Sequence, residues 1–296
     1  MFLVVLAYAI LASTFTVAKI VLSYAKPFFV IGFRMVLSGI FLLTFLRLTS
    51  KNRILPKRRD LFLFFKVTLF HIYLAFIFEF WALAKMASSK VTLIYSITPF
   101  VAAIFSYFLL REHLGWRKLL GMVLGFLGLL PVLFVKNYSE GGEFLRFSGR
   151  EIILLFAVVS ATYAWFVIKE LMQKNYSFLM INGISMFCGG VLAFITSLVF
   201  EGVKTSPIYN FWPFLGWLLL LILLANVVFY NLYAWLLKQY SITFLTFAGL
   251  LTPIFGSFYG WFFLGEKITW HYFLSLGVVS FAVYLFYSKK CKWLFN

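Results

Sequence analysis

Charge is scarce in this chain. Only 12% of its 296 residues are charged, nine are acidic, and 64% are hydrophobic, with a mean hydropathy of +0.99. A soluble domain carries about 25% charged and roughly 45–50% apolar residues. A soluble fold is therefore excluded, and the lipid bilayer is the first partner expected. Cysteine is as scarce. Cys188 lies in an apolar run and Cys291 in a basic tail, which supports neither a disulfide framework nor a metal site. Three histidines and nine acids are scattered. They form no nucleophile–base set, phosphate loop or metal-ligand cluster, so no catalytic residue, metal or cofactor is expected.

What the chain does have is long apolar runs and a net charge of +17. Basic residues of a polytopic protein gather in cytoplasmic loops near anionic lipid, so the charge does not imply a nucleic-acid partner. A span needs about 20 apolar residues. The runs predict spans at 2–22, 27–48, 61–83, 91–110, 119–135, 151–168, 178–200, 211–237, 242–264 and 270–287. All should be helical, because an open strand leaves backbone groups unpaired in lipid. The chain opens on an apolar run with no basic stretch before it, which reads as a first span and not a cleaved leader. Arg47, Lys51, Arg53, Lys57, Arg58 and Arg59 crowd the loop after the second span. That places both termini in the cytoplasm, in the inner membrane of a cell.

The chain also repeats itself. W-A-L-A-K-M-A-S-S-K-V-T-L-I-Y-S-I-T-P-F begins at Trp81, and W-L-L-K-Q-Y-S-I-T-F-L-T-F-A-G-L-L-T-P-I at Trp235. An offset of 154 superimposes Trp81 on Trp235, Pro99 on Pro253, Glu112 on Glu266 and Trp116 on Trp270. Coincident Trp, Pro and Glu mark an internal duplication. The halves are 1–135 and 151–288, joined by the polar linker 136–150 and followed by the basic tail 289–296. The expected fold is an all-α polytopic membrane protein of ten transmembrane helices. Five spans per half is an odd number, so the two five-helix repeats are inverted, a recurring device of carriers working by alternating access.

These strings resemble the drug/metabolite transporter superfamily, in its ten-helix EamA-like branch. The likeness rests on the doubled T-P-F…L-L-R-E and T-P-I…F-L-G-E-K-I-T-W. It also rests on A-I-L-A-S-T-F-T-V-A-K in the first span, and on Pro27, Phe28 and Arg34 in the second. Ala12 stands where the family usually has Gly, and no Trp precedes it. The resemblance implies a small-metabolite exporter or exchanger, often of amino acids or their derivatives.

Ionisable groups inside spans cost several kcal/mol unless paired or wetted. Glu79, Lys19 and Arg34 lie toward one end of their spans. They suit a charge cluster that contacts substrate or gates the path, or equally a structural pair. Lys66 reads as snorkelling to the interface, and His71, in mid-span, as a hydrogen-bonded structural histidine. Asn226 and Tyr230 share a helix face. With Tyr233, Tyr95 and Tyr163 they could line a cavity, hydrogen-bond an amino-acid head or stack on a flat ring. Ser160, Trp165 and the Ser and Thr of the first span are weaker cases of the same kind. Pro99 and Pro253 each free a carbonyl in mid-helix, where Thr98 and Thr252 can serve it, and are hinge candidates. Glu112 and Glu266 close equivalent helices as caps or pairs.

The substrate expected is an amino acid or derivative. S-adenosylmethionine and S-adenosylhomocysteine form a subcase, in which Glu79 offsets a cationic centre and Lys19 or Arg34 meets a carboxylate. A nucleoside-like or other drug-like metabolite is the alternative. An integral-membrane enzyme on a lipid-linked substrate is a reading of another class, which the scattered acids do not favour. The sequence is compatible with a homodimer.

Overall fold

The computed structural model describes residues 2–49, 55–86, 88–111, 115–116, 119–128, 149–202, 206–264, 274, 277–278 and 281–282. The elements are helices: α1, Phe2–Val21; α2, Pro27–Thr49; α3, Arg58–Lys85; α4, Ser88–Ile94; α5, Thr98–Leu110; α6, Leu119–Gly128; α7, Gly149–Gln173; α8, Phe178–Phe200; α9, Phe211–Gln239; α10, Ile242–Ala248; and α11, Thr252–Leu264. Seven stretches are long and apolar enough to cross a membrane: α1, α2, α3, α7, α8, α9 and the α10–α11 run Ile242–Phe263. Most of the predicted last span, much of the fifth, nearly all of the polar linker, the basic tail, Glu112 and Glu266 lie outside the described residues.

The helices form two compact units. The first holds Met1–Thr16, Ser88–Ile152 and Leu236–Asn296, and the second Val17–Ala87 and Ile153–Trp235. Each unit therefore draws helices from both halves of the sequence.

Within the second unit α2 and α8 are the most closely packed pair among the described residues. The reason is glycine. A Cβ on Gly39 would lie 2.6 Å from the Phe187 backbone nitrogen, and one on Gly190 would lie 2.7 Å from that of Val36. A Cβ on Gly32 would meet the Phe194 ring at 2.8 Å, and one on Gly183 the Leu43 side chain at 2.9 Å. In all four contacts the partner's number falls as the glycine's rises, so α2 and α8 run antiparallel. The two helices have equal length, and an offset of 151 carries Gly32 onto Gly183 and Gly39 onto Gly190. The contact is thus reciprocal, as across a two-fold axis. Small residues of this kind let membrane helices approach to backbone contact. The outward face of α8, by contrast, exposes Ile195, Leu198, Val199 and Phe200, as a lipid-facing surface does.

The first unit follows the same plan. α5 packs on α10 and α4 on α11. Ser106 and Thr243 share a hydrogen bond of 2.9 Å, and Gly256 lies against Thr92. The two broken helices open at equivalent places, with 3-10 turns at Tyr95–Ile97 and Gly249–Leu251. Proline is the cause. Pro99 and Pro253 have no N–H for the carbonyls four residues earlier, those of Tyr95 and Gly249. The Thr98 and Thr252 backbone N–H groups turn to these carbonyls instead, and the Thr98 hydroxyl also donates to Tyr95. Each proline thus starts a new helix instead of kinking an old one.

Gly39→Ala should lower the thermal midpoint in detergent, with an overpacking cost of about 1–3 kcal/mol, because the Phe187 backbone cannot yield. Gly216→Ala, where a Cβ meets nothing within 4 Å, is the matched control. Equal midpoints for the two variants would rule out the close-packed α2–α8 seam.

Candidate functional site

Among the described residues, the second unit brings charge and aromatic rings together at one place. It is positioned by two π-helical segments, Thr68–Leu74 in α3 and Ile222–Phe229 in α9. Both begin at equivalent positions under the 154 offset. A π turn is wider than an α turn and leaves carbonyls poorly served by their own helix; such turns recur at functional sites. Here side chains serve them. Ser160 of α7 donates to the Phe70 carbonyl at 2.7 Å, and the Asn231 side chain donates to the Val227 carbonyl at 2.6 Å. Tyr73 and Thr196 share a 2.7 Å hydrogen bond that ties the first segment to α8.

Arg34 of α2 is only 3% exposed. Its Nε–H donates to Asn226 Oδ1 at 2.8 Å. Its guanidinium lies over the Phe76 ring at 5.0 Å and faces Phe80 at 5.8 Å. A cation over an aromatic face is stabilised by the ring quadrupole, more so when water is excluded. Glu79 is close enough to act electrostatically on both Arg34 and Tyr230. The Asn226 amide nitrogen points at Met35 and Met186 sulfurs, at 3.5 and 3.4 Å.

Beside this pair stands an aromatic cluster. Trp165 of α7 lies 4.4 Å from Tyr233, 5.9 Å from Tyr230 and 6.4 Å from Phe178, centroid to centroid. His71 sits edge-on to Trp165 at 4.6 Å and to Tyr230 at 5.3 Å. The cluster therefore offers flat rings next to an acid and an arginine.

Of the residues singled out in the sequence, the structure gathers Arg34, Glu79, Asn226, Tyr230 and Tyr233 here. Lys19 belongs to the same unit but is engaged otherwise. Its ammonium donates to the carbonyls of Leu83, Ala84 and Met86, at 2.7, 3.3 and 3.0 Å. It thereby serves the C-terminal end of α3, where a cation is favoured by the helix dipole, and its three N–H groups are all in use. Tyr163 packs edge-on against Phe70 at 5.2 Å. Tyr95 lies in the first unit, 5.4 Å from Phe15, where Pro99 and Pro253 also lie. Lys66 rests over Phe62 at 4.8 Å.

Sequence reasoning gave little weight to His71 and Trp165, and none to Phe76 and Phe80. A mid-span histidine on the same helix as Glu79 was the available signal. Glu201 was missed as well. Its carboxylate accepts from the Phe28 and Phe29 backbone N–H groups at 2.8 and 3.0 Å and so caps α2. At the start of α3, Asp60 accepts from Lys174, just beyond the end of α7, at 3.0 Å and from Tyr176 at 2.8 Å. This hydrogen bond holds the Lys174 ammonium above the ordinary lysine range. Its stabilisation is present below that range and fades only as pH rises through the raised value, so the latch stays closed at physiological pH.

Apolar helices with lipid-facing outer surfaces and a buried polar centre define a multi-pass membrane protein. The comparisons narrow the class. The model of the EamA-like transporter family matches twice, over residues 1–134 and 150–288, and the chain belongs to that family. It is 33% identical over 98% of its length to the S-adenosylmethionine/S-adenosylhomocysteine transporter of Chlamydia trachomatis serovar L2, of which 89% is covered. It is 26% identical over 90% of its length to the chloroplastic WAT1-related protein At3g02690 of Arabidopsis thaliana, of which 64% is covered. A solved crystal structure shares the fold at a TM-score of 0.70 and 16% identity, covering 96% of this chain and 93% of that one.

Replacing Asn226 by Ala should cost about 1.5–3 kcal/mol, because Arg34 then has a buried N–H without its acceptor. The thermal midpoint in detergent should fall clearly, and Asn226→Asp should retain more of it. An unchanged midpoint in Asn226→Ala would remove Arg34–Asn226 as a structural link.

Proposed function

We propose that the protein is an inner-membrane exchanger of S-adenosylmethionine for S-adenosylhomocysteine, or of a close adenosyl amino acid. The observation that carries the reading is the 33% identity to the chlamydial carrier across nearly the whole of both chains. The second unit supplies chemistry of the required kinds. Glu79 offsets a sulfonium or ammonium centre, Arg34 meets a carboxylate, and Trp165, Tyr230 and Tyr233 give flat surfaces. Lys19 is not part of this site, since its donors serve α3.

The transport cycle is alternating access by two inverted five-helix repeats, ten helices in all, with both termini in the cytoplasm. The reciprocal antiparallel contact of α2 with α8 supports the inversion, because equivalent helices of the two halves then run in opposite directions. The paired breaks before Pro99 and Pro253 are the hinges. Binding differs between inward-open and outward-open shapes, and exchange follows if only the loaded carrier reorients.

Purified protein in liposomes loaded with S-adenosylhomocysteine should take up labelled S-adenosylmethionine saturably, and several-fold faster than empty liposomes do. Glu79→Gln should reduce that uptake tenfold or more in protein that still purifies as a folded, monodisperse species. Absence of saturable uptake of either compound would refute the substrate. Uptake unaffected by internal substrate would refute exchange.

A further inference from the structure

His71 is only 2% exposed, and neither ring nitrogen has a hydrogen-bond partner. Among the described residues it is the one buried side chain with two such nitrogens. A polar group taken from water without a partner is costly. Packing does not require it, because phenylalanine would fill the same space between Trp165 and Tyr230 without that cost. The duplication does not require it either, since Ala225 holds the equivalent position under the 154 offset. The residue therefore answers to something that binds against it. A neutral imidazole offers one N–H donor and one acceptor nitrogen. Trp165 and Tyr230 beside it, with Tyr233 beside Trp165, offer ring faces with centroids 4.4–5.9 Å apart. A ligand that uses both must be flat, with π faces for the rings and hydrogen-bonding atoms at its edge. A nitrogen heteroaromatic ring such as a purine has that combination. A sulfonium centre in the same aromatic cluster would leave both imidazole nitrogens without partners, and an ammonium would serve the acceptor nitrogen alone.

We infer that His71, Trp165, Tyr230 and Tyr233 form the subsite for a purine base, with His71 hydrogen-bonding the base edge and the aromatic rings stacking on its faces. The inference deepens the function proposed above and rests on it for the rest of the substrate. The subsite's walls come from three helices: His71 from the first π-helical segment, Tyr230 and Tyr233 from the turn that follows the second, and Trp165 from α7. The rings touch one another in this conformation, so the base enters as those walls part. Base–aromatic stacking tolerates different bases, because every base has a π face. Selectivity for the base edge then falls to the histidine.

The test uses the full chain in detergent and in liposomes. Binding of labelled adenosine and labelled methionine is measured by equilibrium dialysis, and S-adenosylmethionine exchange is measured in parallel. His71→Phe keeps the ring and loses both nitrogens. It should weaken adenosine tenfold or more and leave methionine unchanged, while His71→Gln, which restores a donor and an acceptor, stays within threefold of the unmodified protein. If His71→Phe does not fold, Trp165→Leu carries the test, with the same selective loss of adenosine. Selective loss without exchange in the unmodified protein would support the subsite and sink the exchanger reading. Exchange with no adenosine binding, or with equal losses of adenosine and methionine in His71→Phe, would overturn the subsite and leave the exchanger standing.

Discussion

Arg34 brings a permanent positive charge into the interior of a helix bundle, and much of the second unit follows from it. A guanidinium does not give up its proton in a protein, so neutralising itself is not open to this residue. Its charge must be met from three sides. Asn226 supplies an oxygen from α9, Phe76 and Phe80 supply ring faces from α3, and Glu79 supplies a negative field. These demands fix α2, α3 and α9 against one another. The glycines of α2 and α8 make the arrangement possible, because they bring α2 close enough for Asn226 to reach the sulfurs of Met35 and Met186 on the two helices. In so apolar a chain, one charge specifies more of the packing than the many interchangeable Leu and Phe side chains around it.

Duplication explains the scaffold and leaves the site unexplained. The π segments, the 3-10 turns and the proline-started helices all recur at an offset of 154, and the paired glycines recur at 151. The chemistry does not recur. His71 is matched by Ala225, Glu79 by Tyr233 and Tyr95 by Gly249, while Ser185 stands where the 151 offset would place a second Arg34. Backbone geometry has been kept in both copies because both must satisfy their hydrogen bonds without water. Side chains facing the interior were free to diverge.

That division also explains what the sequence revealed. Apolar runs gave seven of the predicted spans, and α8 came out at its predicted limits, because hydropathy over about 20 residues is a local property. The break at each proline was legible for the same reason. The π segments were not, since no residue type marks them and their carbonyls are served by Ser160 from elsewhere in the chain. Lys19 was ranked as a substrate contact because its charge is visible in the sequence, whereas the carbonyls of Leu83, Ala84 and Met86 that occupy it are tertiary. Trp165 carries little weight in the sequence because tryptophan in a span is common; what distinguishes it is Tyr233 at 4.4 Å. His71 was visible as a lone histidine in mid-span, but its two unpaired nitrogens were not.

The asymmetry has a consequence for how any ligand sits. Phe76 and Tyr230 are equivalent under the 154 offset, and both act on Arg34, one through its ring face and one through its phenol. Glu79 and Tyr233 are equivalent as well and belong to the same cluster. Equivalent positions of the two copies therefore converge on one place, as they must near a pseudo-two-fold axis. Had the copies stayed alike, the walls would have been alike, and a ligand could have bound in two orientations related by that axis. In the site proposed above, an acid and an arginine stand beside a tryptophan, two tyrosines and a histidine, so only one orientation would satisfy both ends of an unsymmetrical molecule. Selection against the reversed pose costs no additional contact, because an anionic end pressed against the ring faces would lose its hydration without a matching cation. A duplicated scaffold can in this way keep the two-fold geometry that alternating access needs while binding a substrate that has no symmetry of its own.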